Sequence, residues 1–153
     1  MKKELELELY NIDPIFFEEA IACEKGELNE MTSCMAFGCE CGDGWYEPLK
    51  NLAYKTKLLN DIAKNYNFKF ICEQLKEKWG ECTIYYGTKS IDNTKDIIKN
   101  DILNKIFRDV IDACRNECWN ICEICGDKQN FRGDNIITTS GYISRICKKC
   151  NNK

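Results

Sequence analysis

No histidine occurs anywhere in the 153 residues. That removes the commonest general base, any Cys-His or Ser-His nucleophile pair, and any zinc site with imidazole ligands. Also missing is an apolar run approaching the roughly 20 residues needed to span a bilayer. The opening MKKELELELY has two lysines and then alternates Glu with Leu, so it holds no signal-peptide core. Composition is otherwise that of a globular chain, 44% hydrophobic and 31% charged. What stands out is cysteine: there are 12. Without an export signal, they point to a reducing cytoplasm with thiols free or on metal.

Four of them set the organisation of the chain. Cys122 and Cys125 form C-E-I-C-G, and Cys147 and Cys150 form C-K-K-C. A C-x-x-C pair brings two thiolates to one side of a tight knuckle, and Gly126 permits the positive φ such a knuckle needs. Two knuckles make a tetrahedral sulfur cage that suits one structural Zn2+. A thioredoxin-like dithiol and a pair of disulfides fit less well, since neither pair sits in a strand-to-helix unit and nothing marks export. Between the pairs, IITT, Gly141 and YISRI read as a β-hairpin. The chain ends three residues after Cys150. A treble clef needs a helix there, so a zinc ribbon is expected. Metal binding would supply on the order of 10 kcal/mol to fold it.

Charge is graded along the chain. Residues 1–50 carry 4 Lys/Arg against 12 Asp/Glu, residues 51–118 carry 12 against 10, and residues 119–153 carry 6 against 3. The head is acidic and the tail mildly basic, an asymmetry that can steer a partner. The abundance of Lys, Ile and Asn suggests an AT-rich bacterial or phage genome.

Residues 4–10 fit a strand by their period of two, and a helix by the strength of Glu and Leu as helix formers. Asp13-Pro14 predicts a helix start, with Ile15, Phe16, Ala20 and Cys23 on one face and Gly26 at the end. Cys34, Cys39 and Cys41 lack a clear fourth ligand and read as small buried residues beneath a glycine-rich loop. In that loop, Gly42, Asp43 and Gly44 run into Trp45 and Tyr46 at a helix start, where backbone amides can hold an anion. The plainer reading of Asp43 is an N-cap. Trp45, Leu49, Leu52, Thr56, Leu59 and Ile62 predict an amphipathic helix over 44–64. Phe68 to Cys72 and Glu81 to Tyr86 predict paired strands punctuated by Gly80. Lys76, Lys78 and Trp79, placed in the connection, form a basic-aromatic spot or a solvated turn. A helix over 93–120 is expected to bury a stripe of Ile97, Ile98, Ile102, Ile106 and Val110. Cys114 and Cys118 then lie near the first knuckle as structural thiols. The fold class expected is α+β: helices on a small antiparallel sheet or hairpin, with residues 1–118 as the main domain and 119–153 as a zinc ribbon packed on it.

Three stretches, CECGDGWYEPLKNL, EQLKEKWGECTIYY, and ICEICG with GYISRICKKC, together resemble a family of small, largely uncharacterised phage and prophage proteins. Its members combine a GDGWY-type segment, a K-E-K-[FW]-G segment and a C-terminal four-cysteine ribbon. The resemblance covers roughly residues 34–150 and implies Cys122, Cys125, Cys147 and Cys150 as metal ligands; it carries no activity. With the acidic head and the missing catalytic set, it leads to the expectation of a non-enzymatic effector. Such an effector would bind a host bacterial protein, such as a defence nuclease complex of the CRISPR kind. Two alternatives stand beside it. One is nucleic-acid binding by the ribbon through Lys128, Arg132, Arg145, Lys148 and Lys149, against which the pI near 5.2 weighs. The other is capture of a small ligand such as a nucleotide by the GDGWY loop.

Overall fold

A computed structural model describes residues 1–128, 136–138 and 143–152; for 136–138 only the backbone is described. The chain runs α1 (Lys3–Ile12), α2 (Glu18–Glu24), β1 (Cys39–Glu40), α3 (Tyr46–Ala63), β2 (Phe68–Lys78), β3 (Glu81–Ser90), α4 (Asp101–Trp119), β4 (Ile136–Thr138), β5 (Arg145–Cys147) and α5 (Lys148–Asn151). Helices pack on a three-stranded mixed sheet in the order β1-β2-β3, and β4 pairs β5 separately. The α+β class therefore holds. The long pair β2/β3 is antiparallel, as its alternation predicts, while β1 adds two residues parallel to β2. So short a strand, in a run of Cys and Gly, has no alternation to reveal it.

The undecided Glu-Leu stretch is a helix, α1. Helical spacing buries Glu6, Leu9 and Tyr10 together, and Glu6 Oε1 accepts the Cys39 amide at 2.7 Å. Asp13 does cap, but its Oδ1 holds the Ile15 and Phe16 amides of an isolated turn, and the helix proper begins only at Glu18. The other Asp13 oxygen accepts from Thr56 Oγ1 at 2.7 Å. Burial pushes the Asp13 carboxyl above its ordinary range, against four hydrogen bonds that favour the charged form. Asn60 of α3 clamps the start of β2: its Nδ2 donates to Phe70 O at 3.2 Å and its Oδ1 accepts from Phe70 N at 2.8 Å.

The core lies where α3 and α4 cover the sheet. Phe16, Phe68, Phe70, Phe107 and Trp45 are essentially inaccessible, each burial contributing about 1.5–3 kcal/mol. The Phe70 and Phe107 rings stack at 3.8 Å between centroids.

The expected helix over 93–120 needs correction at its start and on its face. Asn100 caps α4 by accepting the Leu103 amide at 2.9 Å. Before it, Asn67 in the left-handed region (φ 58°) ties down the segment, bonding Asp92 N, Asp92 O and Lys95 O. Those contacts hold residues 92–95 in a non-helical path that helical periodicity alone does not foresee. The face that α4 buries is Leu103, Phe107, Ile111, Cys114 and Cys118. Ile97, Ile98, Ile102 and Ile106 are exposed instead, as is Ile62 at the end of α3. β2 also runs on to Lys78, so Lys76 and Lys78 are strand residues and only Trp79, at φ 59°, is in the turn with Gly80. Among the described residues, no helix is long and apolar enough to cross a membrane.

Candidate metal centre and the loop docked on it

Cys122 and Cys125 lie in a knuckle that follows α4. The knuckle closes through Gly126 N donating to Cys122 O and Cys122 N donating to Asp127 O, each at 2.8 Å. Gly126 takes φ +74°, as the knuckle requires. Cys147 ends β5 and Cys150 lies in α5, so the second pair sits on a helical turn and not on a second open knuckle. Among the described residues, the ribbon departs from expectation in this four-residue helix and in β5, which begins only at Arg145; β4 pairs with β5 as expected. Glu123 N donates to Arg145 O at 2.9 Å, holding the two halves together.

The four Sγ atoms all lie within 4.8 Å of one another. Tetrahedral zinc with Zn–S bonds of about 2.3 Å needs sulfur–sulfur edges of about 3.8 Å. Cys125 and Cys147 Sγ are 3.7 Å apart. The donor set and spacing fit one structural zinc ion, held by Cys122, Cys125, Cys147 and Cys150. Backbone amides support the thiolates: Cys147 N–H donates to Cys122 Sγ at 3.2 Å, and the Cys150 N–H brings the Cys147 thiol down to about 7. Four sulfurs close the coordination shell, so the ion staples the chain and offers no open position to a substrate.

The GDGWY segment meets this centre directly. Gly44 N donates to Glu123 O at 2.7 Å, and Gly42 N to Glu123 Oε1 at 3.2 Å. The glycines are required by contact: a Cβ on Gly42 would lie 2.2 Å from Glu123 O, and one on Gly44 would lie 2.1 Å from Cys122 O. Trp45 N donates back to Gly42 O, so the Gly42, Gly44 and Trp45 amides, candidates for an anion, serve internal bonds. Trp45 itself is fully buried in the core. Asp43 accepts the Lys2 amide at 2.7 Å and pairs with the Lys2 ammonium at 3.3 Å, which keeps its carboxyl below the ordinary range. Tyr46 OH bonds Glu8. Glu123 is the residue that sequence reasoning missed. Its position between two ligands was the only signal, and burial raises its carboxyl above the usual range.

Asp43, Gly44 and Tyr46 do line a cleft of about 560 Å³, together with Pro48, Asn51, Glu117, Cys125 and Lys128. Lys76, Lys78 and Trp79 are not among the residues that line it. Lys76 lies over the Tyr85 ring, and Trp79 projects from the hairpin tip. Among the ribbon cations, Lys128, Lys148 and Lys149 share one shallow depression. The Arg145 guanidinium stacks on Trp119 at 3.3 Å and its Nε donates to Trp119 O, so it serves the ribbon–helix contact. Arg132 lies outside the described residues.

The remaining thiols form no second such group among the described residues. Cys39 and Cys41 are buried as expected, but Cys34 is exposed. Cys114 and Cys118 face the core, where neighbouring Cys114 and Cys82 thiols raise Cys118. Burial pushes Cys39 to about 12 and lifts Cys41 and Cys72 as well. A thiol kept protonated is a poor nucleophile, so these are packing residues. No family model, no curated protein and no solved structure matches the chain.

Proposed function

We propose that this protein is a non-enzymatic, zinc-stapled effector of phage type that acts by binding a host bacterial protein, with a defence nuclease complex as the target class. The observation that supports it most is the acidic surface of the first two helices and the turn after them. Glu4, Glu27 and Glu30 are exposed there, as are Glu24 and Glu8, which are held by the Lys3 ammonium and the Tyr46 hydroxyl, while Glu6 and Asp13 are withdrawn into structural hydrogen bonds. A patch of carboxylates on rigid helices can occupy a cationic groove made for nucleic acid. The closed sulfur cage, the protonated core thiols and the internally bonded GDGW loop fit a binding role better than a catalytic one.

The test is affinity capture from bacterial lysate, with a Glu24→Lys, Glu27→Lys, Glu30→Lys variant beside the wild type. One stoichiometric protein partner, lost in the variant, is the expected result. Capture of no protein, or of one indifferent to the reversal, contradicts the proposal. A second reading rests on Lys128, Lys148 and Lys149 around their depression, which would contact phosphate. A gel shift abolished by Lys148→Glu, Lys149→Glu would favour that reading.

A further inference from the structure

The four sulfurs of the metal centre are unequally covered. Cys122 and Cys147 are only 0% and 4% exposed, Cys150 is half-buried, and Cys125 is exposed. Their places in the fold explain the difference. Cys122 follows α4 closely and lies under the Gly44 loop, and Cys147 ends β5 with its amide donating to Cys122 Sγ. Cys125 sits at the turn of the knuckle beside Gly126, and both line the cleft of about 560 Å³. Pro48 and Asn51 of α3 and Glu117 of α4 wall that cleft, and Cys125 is the one metal ligand among its lining residues. The cage is therefore closed to a fifth ligand but open to attack at one sulfur.

A sulfur held by zinc is a thiolate at neutral pH, and the thiolate is the form that attacks oxidants and alkylating agents. No other cysteine combines this state with access. Cys39, Cys41, Cys72, Cys82, Cys114 and Cys118 are buried, and Cys34, also exposed, belongs to no group of metal ligands among the described residues.

We propose that Cys125 is an oxidation site through which hydrogen peroxide opens the metal centre, with Cys147 as the resolving thiolate. Cys125 Sγ attacks one peroxide oxygen: an S–O bond forms, the O–O bond breaks, and hydroxide leaves, taking a proton from solvent to become water. Cys147 Sγ, 3.7 Å away, then attacks the sulfenic sulfur. An S–S bond forms, the S–O bond breaks, and a second hydroxide leaves as water. Two thiolates have lost two electrons, and the peroxide has been reduced to two waters. Cys122 and Cys150 alone cannot complete a tetrahedral shell, so the zinc is released. A thiol reductant and fresh zinc restore the cage. The change reaches beyond the knuckle, because Glu123 O and Oε1 hold the Gly44 and Gly42 amides at the entry to α3. This switch stands on the metal centre alone and is independent of the partner the chain binds.

The test uses the purified full chain, its zinc content measured first. Substoichiometric iodoacetamide, read by peptide mass spectrometry, should label Cys125 before Cys122, Cys147 and Cys150. Excess hydrogen peroxide should release zinc to a chromophoric chelator, leave a Cys125–Cys147 disulfide and raise deuterium uptake over residues 42–46. Dithiothreitol with zinc should reverse all three. Asn51→Trp fills the cleft from an exposed position, and should slow release about threefold or more with zinc content and melting temperature unchanged. Cys34→Ser should release zinc at the wild-type rate. First labelling at another of the four ligands, a disulfide without Cys125, or retention of zinc in excess peroxide overturns the proposal. So does release that Asn51→Trp leaves as fast as in wild type. A disulfide from Cys125 to Cys122 or Cys150 overturns the role given to Cys147. A chain that holds no zinc before oxidation contradicts the metal centre itself, so the two failures are distinguishable.

Discussion

Replacing Gly44 by alanine puts a methyl group where two backbones meet. Its Cβ would lie 2.1 Å from Cys122 O, 2.5 Å from Gly126 N and 2.6 Å from Glu123 O, all atoms of the first knuckle that cannot swing aside. The loop must retreat, and the Gly44 N to Glu123 O bond of 2.7 Å goes with it. Overpacking costs about 1–3 kcal/mol. The lost hydrogen bond adds about 0.5–1.5 kcal/mol. Together they come to about 2–4 kcal/mol, which for a chain of this size lowers the melting temperature by roughly 5–15 °C. Gly26→Ala is the control, because it shares a φ of +74° but meets nothing within 4 Å. It should cost only the left-handed penalty of about 1–2 kcal/mol. The assay is thermal unfolding by circular dichroism at saturating zinc, with zinc release to a chromophoric chelator followed in parallel. Gly44→Ala should melt lower than Gly26→Ala and release zinc faster than wild type. Wild-type melting and wild-type release would show that the loop does not clasp the knuckle.

Asn60→Ala strips Phe70 N and Phe70 O of their partners inside the core. Leaving two buried groups unpaired should cost about 2–4 kcal/mol in urea unfolding, and a loss under about 1 kcal/mol would contradict the clamp. The Asp13 carboxyl sits above its ordinary value in the folded chain, so the folded state holds its proton longer than the unfolded one. Its contribution to stability is then greatest below the unfolded value of 3.8 and declines as pH rises through the folded value. Urea titrations from acid to neutral pH should show Asp13→Asn gaining on wild type as pH rises; the opposite trend refutes this. Chelating the zinc should unfold the knuckle of Cys122 to Lys128 and the β5–α5 segment beside it, because metal binding supplies on the order of 10 kcal/mol there. Backbone amide exchange around Cys122 to Gly126 should accelerate, and unchanged protection would contradict it.

The metal centre was legible because C-x-x-C spacing and Gly126 encode the knuckle locally. α3 and the β2/β3 pair were legible for a similar reason: their apolar periods match the surfaces they bury. The start of α4 was not, since it depends on Asn67, far away in sequence, fixing residues 92–95. Its buried face was misassigned because two apolar stripes compete on one helix; Ile102 and Ile106 belong to the one left bare, while Leu103, Phe107, Ile111 and the small thiols Cys114 and Cys118 turn to the core. The GDGW loop was recognised as special, but its glycines looked open to a ligand until the knuckle backbone was seen against them. β1 was invisible, being two residues long.

The most direct measurement is zinc analysis of the purified chain combined with X-ray absorption at the zinc edge. The account predicts one zinc per chain bound by four sulfur atoms at about 2.3 Å. In the Gly44→Ala variant, the same four-sulfur shell should release its ion sooner. Substoichiometric zinc, or a shell containing nitrogen or oxygen, would contradict the closed four-cysteine centre and the fold assembled around it.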